Sequence, residues 1–134
     1  MQCTIVSAEK EIFSEAVSMV VATGSLGEIG ITPGHSQLLT GIIPGPVKVV
    51  KENGEEEVFF LSGGFIEVQP GTITLLSDVA IRAEDIDEEQ AEKAREQAEK
   101  IRDNADSDLD FSRARAELAE AAARLQTLRK MRKK

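Results

Sequence analysis

The chain has 134 residues, a formal net charge of −8, 41% hydrophobic, 30% charged and 4% aromatic residues. That balance excludes wholesale disorder. An acidic, aromatic-poor chain also argues against nucleic-acid binding, because phosphate contacts need a basic surface. A single cysteine, Cys3, rules out an internal disulfide and an all-cysteine zinc site. No apolar run approaches the roughly 18 residues of a membrane span. The opening Met1-Gln2-Cys3-Thr4 lacks the basic and apolar regions of a signal peptide, so a reducing, cytosolic compartment is expected.

All ten glycines and all four prolines precede residue 72. The later part is rich in Ala, Glu and Arg, which favour helix, whereas Gly and Pro punctuate strands. The chain is therefore read as a β domain over 1–84 and a helical tail over 85–134.

Short β-branched runs between turn signals carry the β reading. They begin with Thr4-Ile5-Val6, Ala16 to Thr23 and Ile29-Gly30-Ile31, the last followed by the turn Thr32-Pro33-Gly34-His35. Val47 to Val50 and Val58 to Leu61 flank Asn53-Gly54, a signal for a type I′ hairpin turn. Phe65 to Val68 and Thr72 to Leu76 flank Pro70-Gly71. Turns this frequent, with no helix between them, predict an antiparallel sandwich or barrel.

In the tail, Asp85 and Glu88 have capping-box spacing at a helix start. Ala91, Ala94, Ala98, Ile101 and Ala105 then recur at helical spacing. The polar segment 103–108 interrupts that helix. A second stripe follows, of Phe111, Ala114, Leu118, Ala121, Leu125 and Leu128, so an antiparallel αα-hairpin is predicted. Alanine offers little area to a partner helix, at about 0.8 kcal/mol per CH₂. The hairpin is therefore expected to close and dock weakly, as an element that can switch; the alternative is that alanine simply permits close packing. Charge is segregated too: residues 85–112 carry 11 acids and 4 bases, and residues 113–134 carry 2 acids and 8 bases. This fits either antiparallel complementarity or a basic tip that docks on an acidic protein surface.

No residues assemble into an active site. His35, the only histidine, sits beside a Pro-Gly turn. Cys3 is read as a small strand residue. The glycines of 24–30 match neither a dinucleotide fingerprint nor a P-loop. These features describe a non-enzymatic interaction protein, with no catalytic and no metal-binding residue.

The motifs Gly27-Glu28-Ile29-Gly30-Ile31-Thr32-Pro33-Gly34-His35 and Ser62-Gly63-Gly64-Phe65-Ile66-Glu67-Val68 add identity to this outline. With Val6-Ser7-Ala8-Glu9 before them and Asp85-Ile86-Asp87 after them, the chain resembles the epsilon subunits of bacterial rotary F-type ATP synthases over essentially its whole length. The resemblance implies a sandwich of about ten strands followed by two helices. It implies a central-stalk subunit that binds gamma, rests on the c-subunit ring and couples proton flow to ATP synthesis without catalysing it. It places the chain at the cytoplasmic face of the inner membrane, associated with that membrane only through the complex. Glu28, Ile29, Thr32 and His35 would face the c ring and gamma. The extended hairpin would enter between alpha and beta and inhibit ATP hydrolysis through Arg113, Arg115, Arg124, Arg129 and Lys130.

Some members bind ATP in the folded hairpin through an I/L-D-x-x-R-A motif, an alternative role as a nucleotide sensor. The matching stretch here is Ile86-Asp87-Glu88-Glu89-Gln90-Ala91. Asp87 and Arg124 match that site. Gln90, Gln97 and Glu120 stand where arginines are expected, and Ile81 where an acid is expected. Losing cations weakens triphosphate binding, so ATP binding is expected to be weak or absent and no cofactor is implied.

Overall fold

The computed structural model describes residues 1–132; Lys133 and Lys134, which end the basic run of the tail, lie outside the described residues. Nine strands come first: β1 (Gln2–Val6), β2 (Glu11–Gly24), β3 (Gly27–Ile31), β4 (Leu38–Ile42), β5 (Gly45–Lys51), β6 (Glu56–Leu61), β7 (Gly64–Gln69), β8 (Thr72–Ser77) and β9 (Ala80–Arg82). A 3₁₀ turn, Ala83–Asp85, leads to α1 (Glu88–Asp103) and α2 (Asp108–Arg132).

The strands form a two-layer sandwich held together by β2. Its first half pairs with β1, next to which β8, β7 and β4 follow in order. Its second half pairs with β3 and β5, and β6 and β9 extend that layer. A register shift between Val17 and Met19 marks the change of layer; strands turn such corners through bulges. One pairing departs from the antiparallel expectation. β1 runs parallel to β8, because the two strands are joined through the whole intervening sandwich rather than by a turn.

Period-two alternation sends one face of each strand inward. Cys3, Ile5, Phe13, Val17, Val20, Val49, Phe59, Leu61, Ile66 and Leu75 share the core. Phe13 meets Phe59 edge-on, with ring centroids 5.5 Å apart. Burial pushes the Cys3 thiol up to about 12, so it is inert at neutral pH.

β6 breaks the alternation. Val58, Phe59, Phe60 and Leu61 are all buried, yet only Phe59 and Leu61 belong to the sandwich core. Val58 and Phe60 face outward, with Pro46 of β5 opposite Phe60. The hairpin covers them, since α2 packs on β5 and β6 as well as on α1. α2 therefore buries two faces: Ala114, Ala121, Leu125 and Leu128 lie on the predicted stripe, and Ala123 and Thr127 lie off it. Phe111 of that stripe is exposed and Leu118 half-buried. On α1 only Ala91 and Ala98 are buried, while Ala94 and Ile101 are exposed. On α1 the seam is made of alanine methyls, and the larger buried side chains lie on α2.

Two local expectations change. The β5–β6 turn is not type I′, because Glu52 and Asn53 keep negative φ and only Gly54 is positive, at 90°. The Gly54 N–H donates to the Lys51 carbonyl at 2.9 Å and the Asn53 side chain accepts from Glu55 N–H at 2.9 Å. Asn53 does not take the positive φ that type I′ needs, and the loop is instead the longer form over 52–54, in which only the last position is left-handed and is filled by Gly54. The first helix also starts later than Asp85. Asp87 is its N-cap, accepting from Gln90 N–H at 3.0 Å.

The Ser62-Gly63-Gly64 motif proves to be architectural. The Ser62 N–H donates to Ser77 Oγ at 3.1 Å, and that oxygen lies 2.8 Å from the Gly63 carbonyl and 2.9 Å from the Val79 carbonyl. One buried hydroxyl thus ties the β6–β7 corner to the β8–β9 corner.

Candidate functional site

Two regions hold the residues singled out by sequence. The first is the β2–β3 hairpin. Ser25 and Leu26 form its exposed tip, with Leu26 wholly exposed. Thr23 pairs with Glu28 and Ala22 with Ile29, which fixes Glu28 on an edge strand with its side chain largely exposed. Ile29 is half-buried against the core, and Thr32 and His35 are exposed on the following turn. The His35 N–H donates to the Thr32 carbonyl at 3.2 Å, and its ring Nδ1 lies 2.7 Å from the Ser36 carbonyl. Glu28, Ile29, Thr32 and His35 thus fall within one short stretch at a sandwich edge, able to meet a partner together.

The basic residues of α2 do not share one face. At 100° per residue, Arg113 and Arg124 lie on one side of the helix and Arg115 and Arg129 on nearly the opposite side. Arg113, Arg115 and Arg129 are exposed. The Arg124 guanidinium sits 5.0 Å from the centre of the Phe60 ring and 3.2 Å from Glu120. Lys130 reaches back to the sandwich, where its Nζ donates to Glu28 at 3.0 Å. One residue from each predicted contact group, 102 positions apart in the chain, therefore meets in a single ion pair. Arg132 closes the open end of the hairpin by pairing with Glu88 at 2.5 Å. The hydrogen bond from Arg132 holds the Glu88 carboxyl below its ordinary range.

The second region is a groove of about 340 Å³ between α1 and α2, lined by Asp87, Gln90, Gln97, Glu117, Glu120 and Arg124 over an alanine floor. The structure thus brings Asp87 and Arg124 together with three of the departures from the ATP motif. Ile81 lies outside the groove, on β9 opposite Phe60. Three carboxylates face the groove against one guanidinium, and that cation is already paired to Glu120. Among the described residues no group of His, Cys, Asp or Glu could hold a metal ion, and no helix is long and apolar enough to cross a membrane.

Sequence reasoning missed Phe60 as the seat of the hairpin. The signal was present: an unbroken apolar run, Val58-Phe59-Phe60-Leu61, marks a strand covered on both faces.

Comparison with known proteins matches the chain to two family domains in succession. Residues 1–83 match the family described as ATP synthase, Delta/Epsilon chain, beta-sandwich domain. Residues 84–129 match its long alpha-helix domain. The chain is 53% identical over 133 residues to the ATP synthase epsilon chain of Chromohalobacter salexigens, covering 99% of this chain and 94% of that one. Its fold is similar to a chain in the mitochondrial ATP synthase (OSCP/F1/c-ring) of Euglena gracilis, with TM-score 0.83, 24% identity and coverage of 90% and 76%. It is also similar to one in the central stalk/c-ring structure from Tetrahymena thermophila, with TM-score 0.69, 18% identity and coverage of 96% of each. Two family domains in the right order, filling nearly the whole chain, and a close relative of matching length establish that the chain belongs to the delta/epsilon family of ATP synthase subunits, as an epsilon chain of the F-type enzyme.

Proposed function

We propose that this epsilon chain is a non-catalytic part of the central stalk of a bacterial F-type ATP synthase, on the cytoplasmic face of the membrane. It rests on the c-subunit ring through the loop carrying Glu28 and binds gamma through the region around His35, with Ile29 and Thr32 in the same edge, and turns with the rotor to couple proton flow to ATP synthesis. Its hairpin restrains ATP hydrolysis by swinging away from the sandwich and engaging alpha and beta with its basic residues. The observation that carries this reading is the seating of α2. It rests on the outside of a sandwich with a complete core of its own, so it can leave without opening that core.

The test is ATP hydrolysis by the isolated catalytic head with saturating added chain. The full-length chain is expected to inhibit, and a chain ending at residue 84 is not. A full-length variant carrying Arg113→Ala, Arg115→Ala and Arg129→Ala is expected to lose most of the inhibition. These side chains are exposed in the folded hairpin, so the loss reads docking rather than packing. Equal inhibition by all three chains would sink the proposal.

A nucleotide-sensing role is disfavoured by the three carboxylates of the interhelical groove. Calorimetric titration with ATP is expected to show no saturable binding below the millimolar range; a low-micromolar Kd would restore the sensor reading.

A further inference from the structure

The pair between Lys130 and Glu28 joins the last turns of α2 to the β2–β3 hairpin. Its two ends differ. Lys130 is largely covered, with its side chain 25% exposed, whereas that of Glu28 is 68% exposed. An open notch of about 380 Å³ lies beside them, lined by Glu28, Gln126, Arg129 and Lys130. A cation from another molecule can therefore reach the carboxylate without first moving the helix. The Arg132–Glu88 clasp acts differently, since it ties α2 to α1 and would travel with the hairpin. The Glu28 contact is broken whenever the hairpin leaves the sandwich.

We infer that Lys130–Glu28 is an electrostatic latch on the folded hairpin, and that a partner whose cationic group takes Glu28 releases the end of α2. This rests on the proposed function for its biological meaning, because the same carboxylate would then serve both the ring-facing edge and the hairpin. Occupation of that edge and retention of the hairpin compete for one group, so engaging the edge biases the hairpin toward its inhibitory position. A single exposed pair is a small bias, worth a few-fold in an equilibrium, which suits an element that must open and reclose.

Hydrogen exchange of the α2 amides in the isolated full-length chain tests the latch. Glu28→Lys, which sets like charges against each other, is expected to speed exchange in the last turns of α2 by about fivefold. The double reversal Glu28→Lys with Lys130→Glu is expected to return exchange to near its original rate. Equal exchange in all three chains, or no recovery in the double reversal, overturns the latch. Release is tested on the isolated catalytic head, which lacks the ring, so that Glu28 has only the latch to lose. Full-length Glu28→Gln is expected to inhibit about twofold more strongly than the unsubstituted chain at equal subsaturating concentration. Inhibition no stronger than that of the unsubstituted chain overturns release. If the unsubstituted chain itself fails to inhibit, the proposed function fails, and the exchange comparison still decides the latch.

Discussion

Phe60→Ala is expected to free the hairpin and leave the sandwich folded, while Phe59→Ala, one residue away, is expected to destabilise the sandwich itself. Both rings are fully buried. Phe59 packs edge-on against Phe13 in the core and carries the Arg82 guanidinium 5.2 Å from its centre. Its truncation leaves a cavity in the sandwich core, at a cost of about 3–5 kcal/mol. That is a large share of a total stability of about 5–15 kcal/mol. The thermal midpoint of the strands should fall by about 12 °C or more. Phe60 lies on the other face of the same strand, beneath Arg124. Its loss removes the floor on which α2 rests, and the hairpin can answer by leaving. Amide exchange should separate the two variants. Phe60→Ala should accelerate α1 and α2 with little change in β1 and β8, and Phe59→Ala should accelerate the strands. Parallel acceleration of strands and helices in Phe60→Ala would show that sandwich and hairpin unfold as one unit.

Gly64→Ala should be the most damaging single-methyl change in the β domain. Gly64 begins β7 at φ 153°, paired with Ser77 of β8, and an added Cβ would lie 1.9 Å from the Leu76 carbonyl oxygen. The neighbour is backbone, so no rotamer change relieves the collision. The strands must part where the Ser77 hydroxyl links two corners. A loss of about 3 kcal/mol is expected in urea unfolding, at the upper end of overpacking costs. Gly30→Ala is the matched control, because nothing lies within 4 Å of a Cβ there, and a change within about 0.5 kcal/mol is expected. Equal losses in the two variants would mean that the strands at Gly64 have room to give.

Much of the architecture was legible because it is local chemistry. Turn residues confined to the first part, β-branched runs between them and two apolar stripes at helical spacing predict a β domain and a helical hairpin. The misread details are those in which one residue's conformational preference competes with another's. Asn53-Gly54 reads as a two-residue turn, but Asn53 keeps negative φ and a longer loop leaves only Gly54 left-handed. Asp85 and Asp87 are both plausible caps, and the 3₁₀ turn at Ala83–Asp85 leaves the role to Asp87. The short strands β4 and β9 left little periodicity to read, and they exist because β7 and β6 offer them open edges.

What the sequence determined by itself was the inventory: the segments, the net acidity of the chain, the basic second half of the tail, the missing cations of the ATP motif and the motifs that mark the family. Only the tertiary structure decided which of those residues meet. Phe60 and Arg124 stack because α2 chose the outer face of β6, and Glu28 meets Lys130 because that choice carries the end of α2 to the β2–β3 hairpin. Periodicity reports which face of an element is apolar, and nearest neighbours in the chain set it. Which two faces come together is settled by the joint burial of residues far apart in sequence, and no local pattern encodes that partnership.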